Sequence, residues 1–467
     1  MLRTHTCGEL TADDVSKEVN LCGWVDSRRD HGKLIFIDIR DRYGITQVIF
    51  LPKPHTDTYE LAKKLRNEDV VSLKGKVNSR PKKTENQKIS TGLIEVCAEK
   101  LDILSPSQDL PFNVEDSLEL SDEIRFTHRY LDLRRSKVAK KIILRHQLNK
   151  EFRAFLDSKN FLEIETPLLT KSTPEGARDF LVPARLSPNK FYALPQSPQL
   201  FKQILMASGM DKYYQIVRCF RDEDLRKDRQ PEFTQLDMEL SFIEEDDILS
   251  LVEEMIASVF SKVLGEEIKT PFLRISYDEA VKKHGSDKPD IGEGKYRFLW
   301  VVDFPLFEYN DDEKRWQSCH HPFTSPKDES LLKAGADLSG VKARAYDLVL
   351  NGSEIGSGSI RIHSGQLQKK IFETLGISEK EAESKFGFLL RAFNYGVPPH
   401  GGAAFGLDRL YAIITESESI RDVIAFPKTQ KGLCPLSGAP SGVSTKQLDE
   451  LSLELVESEE EKEVKEV

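Results

Sequence analysis

Only six cysteines are scattered through the 467 residues (Cys7, Cys22, Cys97, Cys219, Cys319 and Cys434), and no two form a C-x-x-C pair. That spacing argues against a zinc site and against a disulfide framework, and it suits a reducing cytoplasm. No apolar run approaches the length of a bilayer span, so no membrane association is expected. Met1 to Leu10 has neither the basic-then-apolar order of an export signal nor the Arg/Ser-rich pattern of an organelle transit peptide. Both glycine-rich phosphate signatures are missing: there is no G-x-x-x-x-G-K-S/T, and no G-x-G-x-x-G opens a helix after a strand. A bound nucleotide would have to be held by other means, and arginine, whose planar fork meets phosphate oxygens in pairs, is the natural one. An excess of positive charge is also lacking. The formal net charge is −10, which excludes indiscriminate nucleic-acid binding. Residues 1–104 nevertheless hold 18 Lys and Arg against 16 Asp and Glu, so a polyanion contact, if present, is local.

The length suggests more than one domain. From Val19 to Leu104 the pattern is mostly strand. Leu34, Phe36, Asp38 and Arg40 alternate with Ile35, Ile37 and Ile39, and the turn Asp41-Arg42-Tyr43-Gly44 leads into Ile45 to Leu51. With Asn20 to Asp26, a helical piece from Thr58 to Arg66, and strands over Val70 to Val77 and Leu93 to Leu104, the order suits a five-stranded OB-fold barrel. Period two leaves open whether Phe36 points into such a barrel or out of it. Residues 105–123, rich in Pro, Ser and acidic side chains, read as a linker. A larger domain spans 124–446. It opens on a helix from Lys140 to Ser158, continues with the extended Phe161-Leu162-Glu163-Ile164-Glu165-Thr166-Pro167, and contains another helix from Asp247 to Val263. Its strand-like segments recur without βαβ alternation, which predicts an α+β fold around an antiparallel sheet flanked by helices. Residues 447–467 form an acidic tail.

Three constellations in the larger domain carry chemistry. Val217 to Asp237 reads as two strands joined by a charged loop, with Arg221 and Glu223 two residues apart on one face. Gly401-Gly402-Ala403-Ala404-Phe405-Gly406-Leu407-Asp408-Arg409 has small residues that permit close backbone approach, then an arginine on a helix. Asp347 and Glu354, on neighbouring strands, could hold magnesium through oxygen ligands. Each alone has a plain alternative, a solvated loop or a packing glycine. Their order and combination resemble motifs two and three of the class II aminoacyl-tRNA synthetases, and Phe161 to Pro167 resembles motif one, which in that class builds a homodimer interface. Ser172 to Phe180, Gln196-Ser197-Pro198-Gln199-Leu200-Phe201-Lys202-Gln203 and His320-His321-Pro322-Phe323-Thr324 extend the likeness to the bacterial-type aspartyl-tRNA synthetases.

That resemblance implies a ligase that joins L-aspartate to ATP and then to tRNA(Asp), with Mg2+ as cofactor and no zinc. It implies that Arg221 contacts the aspartate carboxylate and the α-phosphate, and that Arg409 holds the γ-phosphate end of a bent ATP. Glu223, Asp222, Gln230, Phe233, Glu354, Gly406, Leu407 and Asp408 would complete the ATP site, with Phe233 stacked on the purine. Asp347 and Glu354 would hold the metal. Glu175, Ser197, Gln199 and Gln235 would surround the α-amino group, while His320 and His321 close over the aspartate. Specificity would rest on Lys202 and Arg361, oriented by Asp237, because asparagine would leave their charge uncompensated.

In the barrel, the resemblance implies that Phe36 stacks on an anticodon base, Gln47 reads a base edge and Arg29 contacts base or phosphate, with Arg80 nearby. Arg226 and Arg229 would touch the acceptor end. The resemblance implies that His31 is a residue members loading tRNA(Asn) as well often carry, whereas Lys83 is less typical of them; the reading leans towards both tRNAs. One departure is clear: Gly285-Ser286-Asp287-Lys288-Pro289-Asp290 passes almost directly to Phe298-Leu299-Trp300, so the domain that bacterial members insert near 285–298 is absent. A non-catalytic tRNA-binding paralogue and a tRNA-independent amide-forming relative are the alternatives. Retention of Arg221, Arg409, Asp347 and Glu354 speaks against the first, and the barrel speaks against the second.

Overall fold

The computed structural model describes residues 1–173, 177–332 and 337–456. The chain forms two compact units, one of residues 1–119 with 130–139 and one of residues 120–129 with the rest. No helix among the described residues is long and apolar enough to cross a membrane.

The first unit is a closed five-stranded barrel, ordered β1-β2-β3-β5-β4, made from β1 (Glu18–His31), β2 (Leu34–Arg40), β3 (Ile45–Phe50), β4 (Val70–Ser79) and β5 (Ile94–Ser105). Helix α1 (Thr56–Ala62) lies between β3 and β4 in sequence, starting and ending earlier than its pattern suggests. The alternation in β2 resolves as inward Ile35, Ile37 and Ile39 and outward Phe36 and Asp38. Buried Val48, Val71, Leu73 and Val96 meet those isoleucines, each removal from water contributing about 1.5–3 kcal/mol. Phe36 is therefore available on the barrel's outer face.

The second unit is built on an eight-stranded sheet. Its strands are β6 (Leu162–Glu163), β7 (Lys212–Phe220), β8 (Glu232–Ser241), β9 (Leu273–Ser276), β10 (Phe298–Val302), β11 (Ala345–Leu350), β12 (Ser353–Ile360) and β13 (His400–Gly406). Their order across the sheet is β9-β10-β11-β12-β13-β8-β7-β6. The expected antiparallel sheet holds for the inner pairs, but both edge pairs, β9 with β10 and β6 with β7, run parallel. Helix α2 (Ser136–Ser158) precedes β6, and the parallel edge arises because the long connection from β6 to β7, which carries α3 (Gln199–Ala207), brings the chain back along the sheet. Helix α4 (Glu245–Leu264) starts at a reciprocal cap between Glu244 and Asp247 and stops at Gly265, whose φ of 69° suits glycine. Phe152 and Leu156 of α2 and Met255 and Phe260 of α4 share one core with Leu236, Met238 and Phe405 of the sheet. That packing leaves the sheet's opposite face, around β7, β8, β12 and β13, to line a cavity.

Candidate active site

Strand periodicity aims the site. On β8, Gln235, Asp237 and Glu239 lie two residues apart and so share a face. Asp237 pairs across the sheet with Ala404, and Glu239 with Gly402. A Cβ on Gly402 would lie 2.0 Å from the Glu239 Oε2 atom, so the small residues of the second constellation make room for that carboxylate. Arg361 follows β12, and Lys202 sits one turn into α3. The cavity these elements enclose holds about 670 Å³ and lies wholly within the second unit.

At one end four charges are buried together. The Lys202 ammonium reaches the Asp237 Oδ1 atom at 3.0 Å and the Glu239 Oε2 atom at 3.4 Å. The Arg361 guanidinium donates from Nε to Glu239 Oε1 at 2.9 Å and from Nη2 to Glu239 Oε2 at 3.2 Å. Its Nη1 donates to the Ser359 hydroxyl and to His321 Nε2, each at 2.6 Å. Burial, the Arg361 charge and the His320 charge hold His321 well below its ordinary value, so it is a neutral acceptor. Burial raises Glu239, but Arg361 and Lys202 outweigh it and leave the group lowered. Burial dominates at Asp237 and raises it against the pull of Lys202. This cluster corrects the charge argument for specificity: with two cations against Asp237 and Glu239, no net positive charge awaits a substrate. Glu239 itself was missed, although its parity with Asp237 in an apolar strand was a readable signal.

The other end is more open. Arg221 follows β7, stays in register through its N–H to the Pro231 carbonyl at 2.9 Å, and lays its guanidinium 5.1 Å from the centre of the Phe233 ring. Arg409 donates to the Glu354 carbonyl oxygen and lies 3.4 Å from Asp228. Arg229 pairs with Glu223 at 3.0 Å. Arg221, Glu223, Arg229, Phe233, Glu354, Gly406 and Arg409 all line the cavity. Asp228, Leu225 and Ile355 also line it and were not anticipated.

Other expected residues sit differently. Asp222 faces outward, its N–H on the Arg178 carbonyl, and Leu407 is wholly buried in the core; neither reaches the cavity. Asp408 lines it but anchors structure, accepting from Arg145 and from the Thr234 N–H. Gln230 lines it with its amide engaged at both ends by the Lys428 backbone, 2.8 and 3.1 Å away. The thiol of Cys219 donates to Gln235 Oε1 at 3.1 Å, which leaves the Gln235 amide nitrogen for a ligand and corrects its expected place at the α-amino group, because an NH2 can only donate. Ser197, Gln199, His320 and His321 line the cavity, whereas Glu175 lies outside the described residues and Arg226 is exposed away from it.

Asp347 pairs with Ser357 across the sheet, and Glu354 with Val349. Burial and then the Asp347 charge raise Glu354 above the usual carboxylate range. The Asp347 Oδ1 atom is buried without a hydrogen-bond donor, and His320 Nε2 stands 3.6 Å from it. Two neighbouring carboxylates with an orphaned oxygen fit a hard divalent cation. No cluster of three or more His, Cys, Asp or Glu occurs among the described residues, so further ligands would come from phosphate and water.

On the barrel's outer face, Phe36 meets His31 edge-on at 5.8 Å. Arg29 reaches Asp38 at 3.0 Å and Gln47 at 3.3 Å, and Gln47 donates to Glu95 at 2.8 Å. Glu95 was not anticipated. Arg80 donates from Nε to the Ile94 carbonyl at 2.9 Å and has a buried, unpartnered Nη2. Lys83 is exposed, at a φ of 80°.

Residues 121–430 match the family described as class II tRNA synthetases (D, K and N), and residues 19–104 match the OB-fold nucleic-acid-binding domain. The aspartate–tRNA(Asp/Asn) ligase of Syntrophomonas wolfei is 44% identical, covering 98% of this chain and 100% of its own length. That of Persephonella marina is 45% identical, covering 97% of each. The first alignment runs over 585 positions, longer than this chain, so the relative carries residues that have no counterpart here. The asparaginyl-tRNA synthetase of Pyrococcus horikoshii, solved with asparaginyl-adenylate, is 25% identical, with a TM-score of 0.76 over 92% of this chain and 99% of its own. The chain is a class II aminoacyl-tRNA synthetase and belongs to the aspartate–tRNA ligase family.

Proposed function

We propose that this enzyme activates L-aspartate with ATP and transfers it to tRNA(Asp) and also to tRNA(Asn). The observation that carries the amino-acid assignment is the donor count in the buried cluster. Lys202 has three N–H donors and spends one on Asp237, with Glu239 an ion-pair partner at 3.4 Å; Arg361 has five and spends four. At least one N–H remains on each cation, enough to meet the two oxygens of a carboxylate. A carboxamide would set its own NH2 against one of them and leave a buried donor unpaired. Sites of this kind reject the wrong isostere by about 10⁴–10⁵-fold.

In the first step an α-carboxylate oxygen of aspartate attacks the α-phosphorus, the acyl–phosphate bond forms, and pyrophosphate leaves with the electron pair of the broken P–O bond. Both reactants are anions, so orientation and charge neutralisation are the enzyme's work, and orientation alone supplies roughly 7–11 kcal/mol. Arg221 bridges the attacking carboxylate and the α-phosphate, its plane braced by Phe233, which also stacks on the purine. Arg409 holds the terminal phosphate. The Gln235 amide nitrogen donates to the carboxylate end, Gln199 and Ser197 receive the α-ammonium, and His320 closes the site. Mg2+ held by Asp347 and Glu354 would neutralise phosphate charge. In the second step a 3′-terminal hydroxyl of tRNA attacks the acyl carbon and AMP leaves. Arg226 and Arg229 approach that end of the tRNA.

The barrel, taken as residues 1–104, binds the anticodon through Phe36, Gln47, Arg29, Arg80 and Glu95, with His31 and Lys83 setting tolerance for the third anticodon base. A linker over 105–123 leads to the catalytic domain at 124–446. The positions that relatives carry in excess fall at 285–298, which leaves the catalytic machinery intact. A homodimer forms through motif one, where Leu162, Leu168 and Leu169 are exposed. The enzyme works in the cytoplasm.

Aspartate-dependent ATP–pyrophosphate exchange is the direct test. Exchange with aspartate but not asparagine, requiring Mg2+, is expected; folded protein without exchange sinks the reading. Charging of purified tRNA(Asp) and tRNA(Asn) side by side, with His31→Leu as the comparison, decides the second tRNA. Equal failure on tRNA(Asn) by both proteins restricts the enzyme to tRNA(Asp).

A further inference from the structure

One buried chain of hydrogen bonds runs from Gln199 in the cavity into the fold, and its members beyond Gln199 play no part in the chemistry above. Gln199 opens helix α3 and Gln203 follows one turn later, so their side chains stack on one face. Gln199 Nε2 meets Gln203 Oε1 at 3.1 Å, Gln203 Nε2 meets His400 Nε2 at 3.2 Å, and His400 Nδ1 meets the Pro398 carbonyl oxygen at 2.8 Å. Gln203 and His400 are wholly buried, and Gln199 is nearly so.

The direction of every bond in this chain follows from its last acceptor. A carbonyl oxygen can only accept, so His400 Nδ1 carries the proton. In the neutral imidazole Nε2 is then bare and accepts, which requires Gln203 to turn its NH2 towards it. The Gln203 oxygen therefore faces Gln199 and takes a hydrogen bond from the Gln199 NH2. What remains of the Gln199 amide for a ligand is its oxygen, an acceptor. An isolated glutamine is indifferent to which end of its amide faces a ligand; this one is not.

We infer that Gln203 and His400 are positioning residues that lock the Gln199 amide with its oxygen towards the substrate's α-ammonium, so that a backbone carbonyl two residues before β13 fixes the polarity of the amino-acid site. The inference rests on the functional reading above. Burial keeps His400 below its ordinary value and so in the neutral form the chain needs. The same cavity is lined by Asp237, whose buried Oδ2 atom lacks a protein donor. Together these two oxygens give an ammonium two acceptors, while Lys202 and Arg361 present donors to the side-chain carboxylate. The two charged ends of aspartate are thus read by opposite hydrogen-bond polarity.

The test uses the full-length enzyme in pyrophosphate exchange. Gln203→Met keeps the volume and removes the relay. The expected result is a KM for aspartate raised roughly tenfold, the worth of one well-placed hydrogen bond, with KM for ATP and kcat within twofold. His400→Leu should match it, whereas His400→Gln, whose amide oxygen reaches the place of Nε2, should stay near the wild-type KM. An unchanged KM for aspartate in Gln203→Met, a parallel rise in both KM values, or equal loss in His400→Gln and His400→Leu overturns the inference. If the variants do not fold, the ¹⁵N shifts of the wild-type imidazole decide: a bare Nε2 supports the relay and a protonated Nε2 overturns it. Wild-type protein without exchange sinks the functional reading, whereas exchange by wild type with insensitive variants sinks only the relay.

Discussion

At the amino-acid end of the cavity the Lys202 and Arg361 side chains are 1% and 2% exposed, and each shares the Glu239 carboxylate. At the nucleotide end Arg229 and Arg409 are 46% and 33% exposed, each with a single carboxylate on the loop between β7 and β8. The first arrangement is closed and electrically balanced before any ligand arrives. In the proposed function it discriminates because its geometry is fixed and its remaining donors face a carboxylate. The second keeps its cations partly in water, where they are screened, and can regroup around a flexible triphosphate. In the proposed function, a small rigid substrate and a large polyanionic one thus meet different solutions a few residues apart on the same strands.

The largest test of this contrast is Glu239→Gln. Removing one of two anions leaves a buried cation uncompensated, which costs about 3–5 kcal/mol of stability. The matching change at the open end, Asp228→Asn beside Arg409, should cost within about 0.5 kcal/mol because that pair is solvent-screened. Urea unfolding of the two variants measures both. Equal losses would erase the distinction between the ends.

The buried end was also the harder one to read in the sequence. Lys202, Asp237 and Arg361 come from α3, β8 and the end of β12, and only the resemblance joined them. Glu239 hid inside Met238-Glu239-Leu240, where an alternating strand makes a charged residue look like a solvent face. In the barrel the same period two was enough for β2 and left only the direction of Phe36 undecided, because alternation does not say which face is in. The parallel edge pairs could not be read at all, since pairing direction depends on where distant segments return. At the nucleotide end the motif was legible as a whole but not residue by residue. Asp222 and Leu407 belong to it in sequence, yet one points outward and the other into the core, and the Gln230 amide is taken by the Lys428 backbone.

Phe233→Leu probes the open end. The Phe233 ring supports the Arg221 guanidinium and, in the proposed function, stacks on the purine, so its loss should raise KM for ATP about tenfold, near 1.4 kcal/mol, while KM for aspartate changes little. A rise in KM for aspartate of the same size would mean that the two ends are coupled through Arg221 rather than separate.

The smallest effect concerns acid. Burial holds His400 below its ordinary value of 6.5, with Glu239 pulling up and Arg361 and His363 pushing down. A depressed group gives stability that is whole above 6.5 and is lost as pH falls through the folded value, because the unfolded imidazole takes its proton first. His321 behaves the same way, so the wild type should lose up to about 1.4 kcal/mol per pH unit for each of the two histidines below 6.5. His400→Gln removes one of them and should flatten that acid slope, read as thermal midpoints between pH 6.5 and 5. An unchanged slope would mean that His400 does not titrate there. The same proton bears on the contrast between the ends: on Nε2 it would face the Gln203 amide nitrogen, force that amide to turn and present the Gln199 NH2 to an ammonium. Acid should therefore raise KM for aspartate more than KM for ATP in the wild type, and that extra rise should be smaller in His400→Gln.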